Sequence, residues 1–326
     1  MKKVLLLLGS VAAAMFTGCS NDETVELVQQ SAIDFSSFVN KSTRTASDVT
    51  TDNLKNVWVY GWRSNSEGDT EQLFNGTELT KQDSGDWTYS TLKYWEPGYK
   101  YAFEAIAPQN GTNGVTFTAD KTGGKVEFDN STAAAETDLV YASPVNKDYT
   151  SATYANLNPD KVGLTFNHLL SRVKFTFENG LAASSNAKIT VTDVKITDAY
   201  NSGNVTPKTS ATWTVGSDKN LAVSFAPSTT NALTDLAPAA TGETEHMYLI
   251  PTAAAYNVSF SFKLEQPVGS SSVSTVYECT ATIPASVAME SGKSYNFKAK
   301  IDLKPIEFSV TVSEWDDFGD QNISVN

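Results

Sequence analysis

Gly163-Leu164-Thr165-Phe166-Asn167-His168-Leu169-Leu170-Ser171-Arg172-Val173-Lys174-Phe175-Thr176-Phe177-Glu178 decides the fold class. Leu164 and Phe166 alternate with polar residues, and Val173, Phe175 and Phe177 do the same. Period two with β-branched and aromatic residues is strand chemistry, so this stretch predicts a long strand opening the second half of the chain. The same alternation runs outward in both directions, at Leu54–Arg63, Tyr99–Ala107, Lys125–Phe128, Lys188–Thr197, Tyr256–Leu264, Ser274–Ile283, Ser294–Leu303 and Ile306–Val312. Short strands with spaced turns predict an all-β chain of antiparallel sandwiches. Helical periodicity is scarce; Ser131–Leu139, with Ala133-Ala134-Ala135-Glu136, is the one short helix expected.

Composition fits a packed β protein. Of 326 residues 40% are hydrophobic, and 16 Phe, 13 Tyr and 6 Trp supply a core, which excludes wholesale disorder. The net charge of −13, with no basic cluster, argues against a nucleic-acid partner. Two Cys and two His leave no His/Cys zinc set. No cofactor is expected and no residue is assigned to a metal, although the abundant Asp and Asn leave calcium open. The tail run Glu314-Trp315-Asp316-Asp317 lacks EF-hand spacing. No nucleophile elbow or metal-binding helix motif occurs, so an enzyme is not expected.

The first residues read as an address. Met1-Lys2-Lys3 precedes an apolar run, Val4 to Phe16, too short to span a bilayer, and Phe16-Thr17-Gly18-Cys19 closes it. A small residue before Cys after such a run resembles a bacterial lipobox, which implies removal of residues 1–18 and acylation of Cys19. Ser20-Asn21-Asp22-Glu23 resembles an acidic surface-export signal of Bacteroidetes lipoproteins. With Cys19 acylated, Cys279 stands alone in an alternating strand and reads as a small buried hydrophobe. A polar stretch over Tyr149–Lys161 suggests a division of the body into residues 54–160 and 161–326, behind an N-terminal segment of residues 19–53.

Further motifs carry a family resemblance. They are Tyr94-Trp95-Glu96-Pro97, Tyr101 to Pro108, Asp138-Leu139-Val140-Tyr141-Ala142, Phe166 to Phe175, Leu249-Ile250-Pro251, Gly292-Lys293-Ser294-Tyr295-Asn296-Phe297 and Val312-Ser313-Glu314-Trp315. In this order, behind a lipobox, they resemble the fimbrillin family of Bacteroidetes, type V pilin-like surface lipoproteins. The resemblance implies two transthyretin-like β-sandwich domains in tandem. It also implies anchoring to outer-membrane lipid through Cys19, display on the cell surface, and partnership with other fimbrial subunits. In such pilins an Arg-specific protease removes the first strand and a neighbour's strand fills the groove. Here that implies cleavage between Arg44 and Thr45, within the polar stretch Asn40–Asp48.

The residues suit those roles. Ile33 and Phe35 share one face of a candidate first strand, Ala32–Val39. Ile306, Phe308, Val310 and Val312 alternate near the C-terminus and form a candidate donor, and Ile323 and Val325 form a weaker one. The alternative for Ile306–Val312 is the last core strand of its own half. Strand addition with side chains in pockets is a general recognition mode. A stalk, tip or permanent anchor subunit, with Arg44 uncut, are all open. A second reading is a monomeric glycan-binding lipoprotein that takes a host or bacterial surface ligand. It rests on Trp58, Tyr60 and Trp62, whose rings share one strand face, although Val57, Val59 and Gly61 suit a strand covered on both sides. His168 reads as a structural histidine donating to a backbone carbonyl, and Gly292-Lys293-Ser294 as a hairpin turn rather than a phosphate loop.

Overall fold

The computed structural model describes residues 30–39, 49–133, 137–208, 212–302 and 308–314. In chain order the strands are β1 (Phe35–Val39), β2 (Asn56–Ser64), β3 (Thr70–Lys81), β4 (Trp87–Thr88), β5 (Lys100–Ala107), β6 (Val115–Thr118) and β7 (Lys125–Asp129). Then follow β8 (Val140–Asp148), β9 (Val162–His168), β10 (Ser171–Asn179), β11 (Lys188–Ala199), β12 (Ser202–Val205), β13 (Thr214–Val215) and β14 (Leu221–Ser224). The last are β15 (Thr241–Glu243), β16 (Met247–Leu249), β17 (Tyr256–Val268), β18 (Ser271–Ile283), β19 (Lys293–Ile301) and β20 (Phe308–Glu314). The fold is all-β, with a single 3₁₀ turn at Ala183–Ser185 among the described residues.

A seven-stranded sheet has the order β1-β9-β8-β5-β2-β3-β4. A second runs β15-β10-β19-β20, with β16 also on β10, and a third runs β14-β11-β17-β18. The fourth, β13-β12-β7-β6, draws strands from both halves of the chain, because β7 pairs with β12 from Ser202↔Asp129 to Val205↔Val126. The halves are therefore joined by a continuous ladder.

The opening stretch is two strands, not one. It breaks at Leu169-Leu170, after which the chain leaves the seven-stranded sheet. Two consecutive apolar residues cannot share one strand face. Here both are buried in a core that lies between the halves, with Tyr60, Ile106, Phe128, Tyr141, Trp213 and Tyr248. Sheet membership thus changes after His168 rather than at residue 160. Two further cores lie within the halves. One gathers Phe175, Phe177, Phe260, Tyr295 and Phe297, and the other Phe35, Phe74, Trp95, Phe103 and Phe166.

Two pairings are parallel, β1 with β9 and β10 with β19, where antiparallel sheets were expected. Alternation has the same period in either direction and does not encode it. The helix expected over Ser131–Leu139 is absent from the described residues there. The Asp129 carboxylate accepts both the backbone N–H and the hydroxyl of Ser131, and a local turn of this kind competes with helix.

Candidate functional site

β1 sits at the edge of the seven-stranded sheet, and among the described residues β9 is its only strand neighbour there. Its parallel register sets Phe35 opposite Val162, Ser37 opposite Leu164 and Val39 opposite Phe166. Alternation along the segment sends Ile33, Phe35 and Val39 fully inward, with exposures of 0, 2 and 1%, while Phe38 is 54% exposed. Phe35 meets Phe74, Phe103 and Tyr89 edge-on, at centroid distances of 5.5, 5.7 and 6.0 Å. Such aromatic pairs add about 0.5–1.5 kcal/mol each beyond area burial.

Polar contacts fix the strand lengthwise. The Ile33 N–H donates to Lys93 O at 2.8 Å, and Trp95 N–H donates to Ser31 O at 3.0 Å. The Tyr89 hydroxyl donates to Ile33 O at 2.8 Å. On the β9 side, Val162 N–H donates to Asp34 O at 2.7 Å. At the far end Val39 N–H donates to Thr51 Oγ1 at 3.0 Å. The chain is caught again at Val49, whose N–H donates to Asp138 Oδ2 at 2.8 Å. One position fits poorly. The hydroxyl oxygen of Ser37 is closed off from water and has no hydrogen-bond partner among the described residues.

β20 is also an edge strand, paired antiparallel with β19 from Ala299↔Phe308 to Lys293↔Glu314. Val310 is buried. Phe308 packs against the rings of Phe175, Phe297 and Phe177, and Val312 packs against the same core. In this conformation β20 covers the core of its own half. Cys19, Arg44, Thr45, Ile306, Ile323 and Val325 lie outside the described residues, as do Asp316 and Asp317.

Of the other residues singled out by sequence, Tyr60 is buried in the core between the halves, with Trp58 and Trp62 half-buried against it. Val57 and Val59, on the opposite face of β2, enter the core beneath β1, so β2 is covered on both sides. His168 Nδ1 lies 3.1 and 3.0 Å from the two oxygens of the buried Asp138 carboxylate, a partner not anticipated from sequence. Cys279 is half-buried, and burial pushes its thiol pKa up, the reverse of an activated nucleophile. Gly292-Lys293-Ser294 is a turn into β19, with Gly292 at φ +68°. It is no hairpin, because β18 pairs with β17 and β19 with β10 and β20. No group of three or more His, Cys, Asp or Glu is disposed to hold a metal ion among the described residues.

Sequence reasoning missed the contributions of Val39, Ser37 and Asp138. The alternation Ile33-Phe35-Ser37-Val39 carried the signal for the first two. Asp138 carried none, since its partners lie 30 and 89 residues away.

A fimbrillin-like family profile matches residues 43–315. No curated protein matches the chain. Solved structures with a similar course include a candidate cell adhesion protein from Bacteroides uniformis, at 17% identity and a TM-score of 0.49, covering 88% of this chain and 99% of that one. Another, from Bacteroides ovatus, has 12% identity and a TM-score of 0.49, covering 88% and 98%. A fimbrial assembly protein from Parabacteroides distasonis has 13% identity and a TM-score of 0.43, covering 87% and 99%.

Proposed function

We propose that this chain, which belongs to the fimbrillin-like family, is a non-enzymatic surface subunit of a fimbria in which β1 is a removable plug. Family membership itself supports a fimbrial or adhesive role at the cell surface. On the finer reading the chain is a lipoprotein acylated at Cys19. Cleavage between Arg44 and Thr45 then severs β1 from the body, and an apolar strand from a neighbouring subunit takes its place on β9.

The observation that carries the reading is β1 itself, an edge strand with fully buried side chains whose residue order recurs at the other end of the chain. Ile33-Asp34-Phe35-Ser36-Ser37-Phe38-Val39 and Ile306-Glu307-Phe308-Ser309-Val310-Thr311-Val312 share Ile, an acid, Phe and Ser in succession, and the final Val. A neighbour's segment laid on β9 in the register of β1 offers Ile306, Phe308 and Val312 to the positions of Ile33, Phe35 and Val39. Val310 then replaces Ser37, whose hydroxyl is buried without a partner. An unsatisfied buried hydroxyl costs about 1–3 kcal/mol. The incoming strand is thus better matched to the groove than the strand it displaces. Burying its four apolar side chains at about 1.5–3 kcal/mol each gives roughly 6–12 kcal/mol before ordering costs. Against that gross gain stands the withdrawal of Phe308, Val310 and Val312 from their own core.

The test is to isolate the protein from its native cell surface without boiling, and to determine the N-terminus and mass of each species on a denaturing gel. A ladder of resistant oligomers beginning at Thr45 is the expected result. A monomer beginning at acylated Cys19 refutes exchange through Arg44 and leaves an anchor or a monomeric surface binder.

A further inference from the structure

β18 is the longest free sheet edge among the described residues. It runs 13 residues, whereas the other strands at sheet edges run two to seven. It closes the sheet β14-β11-β17-β18, and among the described residues no strand pairs with its outer side. Its ladder with β17 is continuous from Tyr256↔Ile283 to Val268↔Ser271, without a register shift. Such an edge presents a row of unpaired N–H and C=O groups, an open template for another chain.

Native sheets guard their edges with lysine, proline, a bulge or a covering element. β18 has none of these along its outer half. Its sequence, Ser271-Ser272-Val273-Ser274-Thr275-Val276-Tyr277-Glu278-Cys279-Thr280-Ala281-Thr282-Ile283, contains no Lys, Arg or Pro and a single acid. Every residue from Ser271 to Glu278 is exposed. Val273, Val276 and Tyr277 are among them, at 54, 65 and 44%. Large apolar side chains and an unpaired edge therefore coincide.

The sequence of β18 is complementary to itself. In an antiparallel pair about a two-fold axis, the same residues face each other reciprocally. With Thr275 on the axis, Thr275 meets its own copy, Val273 meets Tyr277 of the second copy, and Ser272 meets Glu278 of the second copy. Val273, Thr275 and Tyr277 share one face of the strand. That face then carries a Val–Tyr pair on each side of a central Thr–Thr pair, and both kinds of cross-strand pair are favourable. The Tyr277 ring is already ordered for this, stacked on Phe262 at a centroid distance of 4.9 Å and an interplanar angle of 20°.

Charge selects the same register. The chain carries −13, so two copies repel unless they meet where charge is sparse. Here the two Glu278 carboxylates each face a serine rather than one another. The nearest charges on β17, Lys263 and Glu265, lie opposite Val276 and Ser274 and are already paired with each other at 2.9 Å.

We infer that β18 is an interface at which two copies of this chain pair edge to edge, antiparallel about Thr275, so that their four-stranded sheets become one. That sheet contains neither β1, β9 nor β20, and the pairing holds whether or not β1 is exchanged.

The test is disulfide trapping on the full chain with both native cysteines, Cys19 and Cys279, replaced by serine. Residues directly opposite in antiparallel strands stand about 4.5–5.5 Å apart at Cα, within disulfide reach. Thr275→Cys in this background should yield a covalent dimer on mild oxidation. Ser272→Cys should not, because the two copies of that position lie six residues apart along the pair, about 20 Å. In sedimentation equilibrium, Thr275→Lys sets two like charges on the axis and should weaken association by about tenfold or more. Thr275 is exposed, so the thermal melt of that variant should match the parent's. Equal trapping at 272 and 275 overturns the inference. So does a parent chain that sediments as a monomer throughout, or association undiminished in Thr275→Lys, which would place the contact on another edge.

Discussion

Ser37→Val puts the β1 reading under direct stress. The hydroxyl of Ser37 is enclosed on the core side of β1 without a hydrogen-bond partner among the described residues. Its neighbours on the same face, Phe35 and Val39, are 2 and 1% exposed. Replacing the hydroxyl with methyl groups removes a desolvation cost of about 1–3 kcal/mol. A tight fit around the added methyl would take some of this back, so a net gain of about 1–2 kcal/mol is the working figure. At 1.4 kcal/mol per decade, that reduces opening of β1 by about 5- to 30-fold. The reporter is the Val162 amide, which donates to Asp34 O across the β1–β9 boundary at 2.7 Å. Its hydrogen exchange should slow by that factor in Ser37→Val, while amides of the β10–β19 ladder keep their parent rates. After Arg-specific cleavage, displacement of β1 by a peptide spanning residues 305–314 should slow in parallel. Unchanged or faster exchange at Val162 refutes the account of Ser37 as the weak point. Slower exchange everywhere would mean that β1 does not open separately from the body.

Phe35→Ala should act in the opposite direction. Loss of a fully buried ring with three edge-on neighbours costs about 3–5 kcal/mol, which speeds Val162 exchange on the order of 10²–10³-fold. Asp138→Ala removes the acceptor of Val49 N–H and the carboxylate facing His168. It should lose about 1–3 kcal/mol in urea unfolding, because buried donors are left without their acceptor, together with the protection of the Val49 amide. Gly61→Ala places a Cβ 2.7 Å from the Phe103 ring and 3.0 Å from that of Phe74, and should lower stability by about 1–3 kcal/mol in the same assay. Glu104 is fully buried, accepting from the Tyr141 hydroxyl at 2.7 Å and from the Asp120 and Gly124 N–H groups at 2.8 Å each. Burial raises its pKa, and these bonds only partly oppose the rise. A raised carboxyl pKa favours the folded state most below the ordinary glutamate value of 4.5, and the contribution is lost as pH rises through the folded value. Urea melts should show that component in the parent and not in Glu104→Gln.

The class of fold was legible because period-two alternation is local. Val173, Phe175 and Phe177 needed no partner to announce a strand, and Ile33 and Phe35 announced a shared face. What alternation leaves unstated is the identity and direction of the partner strand. The pairing of β1 with β9 joins residues more than a hundred positions apart, and nothing in either strand's pattern distinguishes parallel from antiparallel. The β7–β12 ladder was hidden for the same reason, and with it the shared sheet that ties the halves together. The Leu169-Leu170 break carried a signal, two adjacent apolar residues, but its meaning depends on a third core that only the assembled sheets create. Trp58 and Tyr60 stand out at period two, whereas Gln72 and Asn75 come opposite β2 only through two register shifts that cancel the alternation of β3.

The placement of the two edge strands bears on how such a subunit would carry load. β1 borders the seven-stranded sheet and β20 the sheet built on β10 and β19, so acceptor and candidate donor sit on different sheets. If a fibre pulls on both, tension crosses the subunit through whatever joins those sheets. Beside the backbone crossing at Leu169-Leu170, these connections include the four-residue β7–β12 ladder and the core around Leu169, Leu170, Phe128 and Tyr248. Trp213 locks that core, donating its indole N–H to Leu169 O at 2.8 Å. A buried hydrogen bond of this kind contributes about 1 kcal/mol, and truncation of a buried Trp costs about 3–5 kcal/mol. Trp213→Ala should therefore lower the force at which the halves separate in single-molecule pulling from residues 49 and 314, while Val162 exchange at the β1 groove stays at the parent rate. If the force is unchanged, Trp213 carries none of the load between the halves.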